Sequence, residues 1–282
     1  MNGNPRNLSA EDRGPDAAPV VYGTATRVRS GALALHASGA GRPLVLIHGG
    51  TGSRTHWTAN IPELGRVFRV LAVDLPGYGD AETAEGLTPD LYLEKVTADL
   101  GAAVPDRFDL VGFSFGAVVA AAVAASIGDR VRRLSLLGPA GFGRPEGREL
   151  RNVRLSDVEA DPEGYRRAVA INLGEFMLKR LPEPGEPVID IQIANIRNSR
   201  FDSRKISWQN RLLDDIAALR CPLQLIWGGE DRLAVPSVGA RAELCRKVCP
   251  DAAISIVPGA GHWVQYEGAG PVNKLLADFH NG

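Results

Sequence analysis

Gly112-Phe113-Ser114-Phe115-Gly116 is the segment of this 282-residue chain whose residue types and spacing point most directly to chemistry. The apolar run Asp109–Phe113 predicts a strand, and the Ala-rich segment Ala117–Ile127 predicts a helix. Glycine at both ends of the pentapeptide permits a tight strand-to-helix turn, where side chains would clash. Such a turn presents the Ser114 hydroxyl at the end of a sheet and leaves the Phe115 N–H free. The pattern predicts a serine nucleophile with one oxyanion donor.

A serine hydroxyl needs a general base, and a neutral imidazole near its working pH is the usual one. Among the five histidines, His262 lies in the Gly-rich segment Val257–Trp263, directly after a predicted strand. Such a loop can present an imidazole over the edge of the sheet, so we predict that His262 is the base. The other histidines have other expected environments: a loop-stabilising one for His48, a pocket-facing one for His56, and structural or solvated ones for His36 and His280.

The imidazole needs a third group to orient it, and Asp231 is the predicted carboxylate. It follows the apolar run Leu223–Trp227, so it too lies at the carboxyl end of a predicted strand. Its position gives the chain order Ser, acid, His, which is one of the few orders known for this triad. Glu230 is the near rival, and Asp74 is the distant one.

Gly49-Gly50 follows the predicted strand ending at Ile47 and supplies a second candidate for oxyanion binding. Glycine lets backbone N–H groups approach a substrate oxygen closely. Gly50-Thr51-Gly52 is only superficially similar to a dinucleotide loop, because the third glycine is missing from its place, and the chain has no P-loop lysine motif. Nucleotide binding is therefore not predicted.

Strands and helices alternate along most of the chain. Short apolar runs bounded by Gly, Pro or Asp predict strands at Leu33–Ala37, Pro43–Ile47, Val67–Val73, Asp109–Phe113, Val131–Leu137, Leu223–Trp227 and Ala253–Val257. Helical spacing predicts helices at Leu91–Val104, Ala117–Ile127, Asp161–Leu173, Val188–Asn198, Val238–Val248 and Val272–Phe279. This alternation is typical of an α/β fold with a mostly parallel sheet flanked by helices. Hairpin signals early in the chain allow an antiparallel start.

The alternation stops between residues 139 and 209, where Arg, Glu, Pro and Asn become frequent and β-branched runs disappear. We interpret this segment as a helical insertion between two halves of one sheet, residues 20–138 and 210–282. Residues 1–19 are polar, contain three prolines and lack an apolar core, so they predict a flexible tail and no secretory signal.

Composition excludes several classes of protein. The 32 Lys+Arg balance 33 Asp+Glu, which argues against a nucleic-acid binder or a polybasic membrane anchor. Leu110–Gly128 has no charge but contains a turn, so it predicts a buried strand and helix and not a membrane span. The three cysteines predict free thiols in a reducing compartment, hence a cytoplasmic location. A small-molecule substrate is the expected partner, no metal or cofactor is expected, and a homodimer is left open.

Taken together, the strand followed by His48-Gly49-Gly50, the segment Asp74–Gly79, the Ser114 turn, Asp231 and His262 resemble the α/β-hydrolase superfamily from about Val20 onward. The resemblance implies that Ser114 is the nucleophile, His262 the base and acid, and Asp231 the orienting carboxylate. It implies an oxyanion hole from the backbone of Phe115 and Gly50, with Gly49 nearby, and a cap made by the insertion.

Two segments, Leu137–Gly143 and Gly261–Glu267, are similar to the meta-cleavage product hydrolases, which break a carbon–carbon bond in 2-hydroxy-6-oxo-dienoates. That resemblance implies that Trp263 lines the pocket and that Arg197 binds the substrate carboxylate, a pairing that suits a guanidinium. The same core also hosts ester, lactone and amide hydrolysis, and fold alone does not decide among them. A ligand-binding module without turnover, or an acyl transferase or cofactor-free peroxidase with the same triad, are the other readings.

Overall fold

An eight-stranded sheet forms the centre of the molecule in the computed structural model, which describes residues 26–146 and 150–282. The strands are β1 (Thr26–Ser30), β2 (Leu33–Ser38), β3 (Pro43–Ile47), β4 (Arg69–Asp74), β5 (Phe108–Phe113), β6 (Val131–Leu137), β7 (Leu223–Gly228) and β8 (Ala253–Val257). Their order in the sheet is β1-β2-β4-β3-β5-β6-β7-β8. From β4 to β8 all neighbouring strands pair in parallel, whereas β1 and β2 are antiparallel.

Ten α-helices accompany this sheet in the described part of the chain: α1 (Ile61–Leu64), α2 (Pro89–Ala103), α3 (Phe115–Ile127), α4 (Pro162–Phe176), α5 (Pro187–Arg197), α6 (Arg204–Ser207), α7 (Leu212–Ala217), α8 (Val238–Val248), α9 (Val264–Glu267) and α10 (Ala269–Asn281). The α/β architecture with a mostly parallel sheet is therefore confirmed. No helix in residues 26–146 and 150–282 is long and apolar enough to cross a membrane.

The sheet is buried on both faces, as its continuous apolar strands require. Along β3, Val45 and Ile47 belong to one core cluster, which includes apolar residues of α2, α3, α7 and α8. Leu44 and Leu46 belong to the other, which includes apolar residues of α1, α9 and α10. Successive side chains of a strand point to opposite faces, so one short run of residues joins both cores.

Helices α4 to α7 lie in the long connection between β6 and β7. Helix α4 packs against α5, while α7 packs against α3 and α8 and so belongs to the layer that covers the sheet. An isolated antiparallel bridge joins Phe142 and Asn210, at the two ends of the segment predicted as an insertion.

The predicted elements differ from the observed ones mainly at their ends. Helix α2 starts at Pro89, where Thr88 caps it by accepting a hydrogen bond from Leu91 N–H, two residues before the predicted start. The sequence predicts strand β1 only as an antiparallel start without bounds, because its side chains are largely exposed and form no apolar run. The predicted tail, residues 1–19, lies outside the described residues.

Candidate active site

The turn between β5 and α3 holds Ser114 in a backbone conformation that L-residues rarely adopt, with φ 53° and ψ −113°. Two close backbone approaches make this turn possible. A Cβ at Gly112 would lie 2.7 Å from Ala117 Cα, and a Cβ at Gly116 would lie 2.7 Å from Ile47 O. The sequence Gly-x-Ser-x-Gly is therefore required by packing at both glycines, and the strained serine is set at the N-terminus of α3.

Ser114, His262 and Asp231 are brought together although 148 residues separate the serine from the histidine. His262 Nε2 lies 2.9 Å from Ser114 Oγ, and His262 Nδ1 lies 2.8 Å from Asp231 Oδ2. His262 is 5% exposed and Asp231 is 7% exposed, while Ser114 is half-buried. The serine is thus the most accessible member of a continuous hydrogen-bonded chain that runs inward to a carboxylate.

Asp231 is held by its loop as well as by the imidazole. Its Oδ1 accepts a hydrogen bond of 2.8 Å from Leu233 N–H, so both carboxylate oxygens have a partner. Gly138, at the end of β6, packs against the imidazole, since a Cβ there would lie 3.1 Å from His262 Cε1. With Asp231 bonded at Nδ1, the Nε2 atom of the neutral imidazole can accept the serine proton.

The proposed oxyanion donors have different surroundings. Phe115 N–H belongs to the first residue of α3 and therefore has no partner within the helix. Among the residues that the structure describes, none accepts a hydrogen bond from Gly50 N–H. Gly49 N–H, by contrast, donates to His56 Nδ1 at 3.2 Å and is not free to bind a substrate oxygen. The geometry therefore supports Gly50 and Phe115 as oxyanion donors, whereas the hydrogen bond of Gly49 N–H to His56 does not support Gly49 in that role.

His56 and Trp263, both predicted to bind substrate, are buried beside the site and do not line its cavity. Trp263 Nε1 donates to His56 O at 2.9 Å, and the two rings lie 4.7 Å apart. Burial lowers the pKa of His56 well below its ordinary value, and the nearby imidazoles of His48 and His262 lower it further. A neutral His56 can accept from Gly49 N–H, so this pair supports the loop that carries Gly50.

Arg197, the predicted carboxylate-binding residue, is also placed elsewhere. It is the last residue of α5 and is exposed, whereas the preceding residue, Ile196, lines the cavity. One residue along an α-helix turns the side chain by about 100°, so the two cannot face the same way. A cation in the last turn of a helix also interacts favourably with the helix dipole.

A cavity of about 680 Å³ opens above Ser114 and His262. Its apolar lining includes Phe142, Phe176, Met177, Ile196 and Phe201. Its polar lining includes serines and three arginines, of which Arg241 comes from α8, far along the chain from the other two, Arg200 and Arg204. Sequence reasoning missed Arg241, because an arginine on an amphipathic helix carries no sign of which face meets a cavity.

His36, Asp74 and Asp80 bring metal-type ligands within reach of one another. Arg54 forms salt bridges with both carboxylates, with its Nη1 at 2.7 Å from Asp74 Oδ2 and 3.2 Å from Asp80 Oδ2. His48 lies nearby and accepts at Nε2 from Leu75 N–H at 3.1 Å. This cluster joins the loops after β3 and β4 and, with a guanidinium in place, does not fit a metal.

Comparison with known proteins agrees with this architecture. A family model described as the alpha/beta hydrolase family matches residues 44–275. The chain is 31% identical over 254 residues to the dihydrolipoyllysine-residue acetyltransferase component of the acetoin cleaving system of Pseudomonas putida, covering 85% of this chain but only 63% of that protein. It is 29% identical over 261 residues to a 2-hydroxy-6-oxo-2,4-heptadienoate hydrolase of Pseudomonas putida strain F1, covering 87% of this chain and 91% of the relative.

Among solved structures, a meta-cleavage product hydrolase from Pseudomonas fluorescens IP01 matches with a TM-score of 0.66 and 21% identity, covering 91% of this chain and 97% of that one. At this identity the likeness concerns the fold. The family model spans most of the chain, including the segments that carry Ser114, Asp231 and His262. The chain therefore belongs to the alpha/beta hydrolase family.

Proposed function

We propose that this protein is a serine hydrolase in which Ser114 attacks, His262 transfers the proton, and Asp231 orients the imidazole. The observation that carries the proposal is the hydrogen-bonded chain from Ser114 Oγ through His262 to Asp231, at the floor of a cavity. The substrate is a small organic molecule with an electrophilic carbonyl, because the cavity of about 680 Å³ lies within the usual size range of small-molecule sites.

In the first half-reaction, Ser114 Oγ adds to the substrate carbonyl while its proton passes to His262 Nε2. The oxygen that becomes negative lies between the N–H groups of Gly50 and Phe115, which stabilise it more in the transition state than in the ground state. Collapse expels the leaving group, which takes the proton from His262, and an acyl-enzyme remains. Water, deprotonated by His262, then releases the acid and regenerates Ser114.

For the substrate class, we infer carbon–carbon hydrolysis of a 2-hydroxy-6-oxo-dienoate, with the sequence likeness to the heptadienoate hydrolase as support. Ketonisation moves the enol proton of O2 to C5, and His262 is the group placed to help this transfer. Attack of Ser114 on the C6 carbonyl then allows the C5–C6 bond to break. The electron pair passes from C5 through C3–C4 to the C2 carbonyl, so the leaving group is a stabilised dienolate.

In our proposal the described residues of the segment 139–209 form a cap over this cavity. Phe176, Met177 and Ile196 line the cavity from α4 and α5, and Phe201 lines it from the segment before α6. These side chains provide apolar contact for the substrate's unreactive end and exclude water from the acyl-enzyme until a single water enters. Substrate choice would then follow the shape of the cap more than the identity of the triad.

The test is turnover of 2-hydroxy-6-oxohepta-2,4-dienoate, followed by loss of its visible absorbance. The wild-type chain is expected to bleach the substrate over many turnovers, and Ser114→Ala is expected to lose several orders of magnitude in kcat, because only binding and oxyanion effects remain. Ser126→Ala is the matched control, since Ser126 lies on the same helix α3 and its hydroxyl bonds to Ala122 O. Full activity in Ser114→Ala would contradict the proposal.

Ester hydrolysis is the second candidate, because the same triad and oxyanion donors suffice for it. 4-Nitrophenyl butyrate and a small lactone are the substrates that separate it from carbon–carbon hydrolysis. Multiple turnovers of an ester without any bleaching of the dienoate would contradict carbon–carbon hydrolysis but support a serine hydrolase that acts on esters. Binding of either compound without turnover would leave only a ligand-binding module.

A further inference from the structure

Arg241 is a charged group on the cavity wall that the proposed mechanism does not use. It lies on α8, in the part of the chain after the insertion, and it lines the same cavity as Ser114 and His262. The guanidinium carbon stands 4.2 Å from the centroid of the Phe142 ring, close enough for stacking on its face. A stacked guanidinium keeps its N–H edges directed outward from the ring and available for hydrogen bonds.

Within residues 26–146 and 150–282, no carboxylate or carbonyl accepts a hydrogen bond from this guanidinium. The ionisable group that acts on it most directly is the Cys245 thiol, one helical turn further on. Burial raises the pKa of Cys245 to about 12, so this thiol is neutral and provides no counter-charge. Burial also lowers the pKa of Arg241 itself, as expected for a cation removed from water without a partner.

The other charged groups of the cavity already have partners. Arg204 binds Asp202 with contacts of 2.7 and 2.9 Å. Arg200 donates to Ala81 O at 3.0 Å, and Asp231 is bonded to His262 and to Leu233 N–H. Among the three arginines that line the described cavity, Arg241 is therefore the one whose guanidinium makes no hydrogen bond to the protein.

We infer that Arg241 binds an anionic group of the substrate, a carboxylate in the first place, and thereby sets the specificity of the cavity. This inference rests on the proposed function, since it takes the cavity above Ser114 as the substrate site. Planar carboxylates pair with a guanidinium through two parallel hydrogen bonds, and a partly buried pair is stronger than an exposed one. This inference gives Arg241, on α8, the carboxylate-binding role that the resemblance to meta-cleavage product hydrolases implies for Arg197 on α5.

The experiment measures binding without cleavage, in the Ser114→Ala background. Calorimetric titration with benzoate, and with 2-hydroxy-6-oxohepta-2,4-dienoate, compares that chain with the double variants that also carry Arg241→Gln, Arg241→Lys or Arg197→Gln. Arg241→Gln is expected to weaken both ligands about tenfold or more, because a charge-assisted pair is lost. Arg241→Lys keeps the charge without the planar fork and should lie between, while Arg197→Gln should bind like the parent. Benzamide, which has the shape but no charge, should be insensitive to Arg241.

The outcomes separate this inference from the proposed function. Equal affinity of the parent and Arg241→Gln for both anions, with native thermal unfolding, would overturn the role of Arg241 even if the wild type cleaves the dienoate. So would an absence of benzoate and dienoate binding to the parent chain. If benzoate binding depends on Arg241 while the wild type leaves the dienoate intact, the anion site stands and the carbon–carbon reaction fails.

Discussion

Two Ser-His-Asp sets lie in the part of the chain that the structure describes, and their surroundings distinguish them. In the second set, Ser135 Oγ lies 2.9 Å from His280 Nε2, and His280 Nδ1 lies 3.3 Å from Asp109 Oδ1. All three side chains are fully buried, and none of them lines the cavity. The buried set therefore contributes hydrogen bonds to the protein interior, whereas the set that contains Ser114 presents a hydroxyl to a cavity.

Asp231 is expected to contribute to turnover through charge and orientation. In Asp231→Asn, if the amide oxygen keeps the hydrogen bond from Leu233 N–H, the NH2 group faces His262 Nδ1. That donor favours the wrong imidazole tautomer and carries no charge to stabilise a protonated imidazole, so kcat should fall by roughly a thousandfold or more, with little change in KM. Steady-state kinetics on the substrate that the wild type turns over would measure this.

Glu230→Gln is the control, because Glu230 is the adjacent carboxylate and its side chain is exposed. It should keep nearly all activity. A larger loss of activity in Glu230→Gln than in Asp231→Asn would show that Glu230, and not Asp231, is the carboxylate that orients His262.

The triad residues could be predicted from the sequence, but the residues that line the cavity could not. Ser114, Asp231 and His262 could be chosen because each follows a strand, and the carboxyl ends of parallel strands meet at one edge of a sheet. Arg197 could not be ruled out and Arg241 could not be found, because the direction of a helical side chain depends on how the helix packs. Trp263 and His56 likewise bind each other instead of facing the cavity, a contact between residues 207 positions apart.

At the scale of elements, the loop after β3 and the segment beginning α6 are fitted to each other across the site. A Cβ at Gly50 would collide with the Ser203 hydroxyl and lie 3.0 Å from Ser203 Cβ. Ser203 also lines the cavity. Glycine at position 50 is thus required by the close approach of a segment that the sequence assigns to the insertion.

Gly50→Ala is therefore expected to displace either the oxyanion donor or Ser203 and to lower kcat/KM about tenfold or more. Ser203→Gly removes the hydroxyl and Cβ that the new methyl group would meet. The double variant should recover much of the loss, which steady-state kinetics of the four chains would show as a coupling between the two sites. Additive losses would mean that the two residues act independently.

Elements themselves were largely predictable where burial gives a pattern. The runs Pro43–Ile47, Val131–Leu137 and Ala253–Val257 agree with β3, β6 and β8 at both ends. The first two are central strands, whose apolar side chains serve both cores. Strand β1 is an exposed edge strand held mainly by its ladder with β2, and such pairing leaves little trace in residue types.

For the whole molecule, buried histidines make stability depend on pH. Burial is the main cause that lowers the pKa values of His48, His56 and His280 below the ordinary 6.5. Their unfolded forms bind protons near pH 6.5 while the folded forms do not, so the unfolded state gains protons first as the pH falls. Relative to its value near pH 7.5, the free energy of unfolding is expected to decrease as the pH falls from about 6.5 to about 5.5.

Urea denaturation across this range would measure the effect. His280→Gln keeps a polar side chain beside Ser135 but removes one titrating group, so its stability should be lower and less dependent on pH. Unchanged unfolding free energy of the wild type between about pH 7.5 and 5.5 would contradict neutral buried histidines.

Reaction with a fluorophosphonate, followed by peptide mass spectrometry, shows which serine of the protein acts as the nucleophile. The nucleophilic oxygen attacks the phosphorus of the reagent as it would attack a substrate carbonyl carbon. Fluoride leaves, and the phosphorus stays covalently bound to that oxygen. We predict one adduct, on the peptide containing Ser114, that is absent in Ser114→Ala and greatly slowed in His262→Ala, with Ser135 unlabelled. An unlabelled wild-type chain, or an adduct on another serine, would show that Ser114 is not the nucleophile.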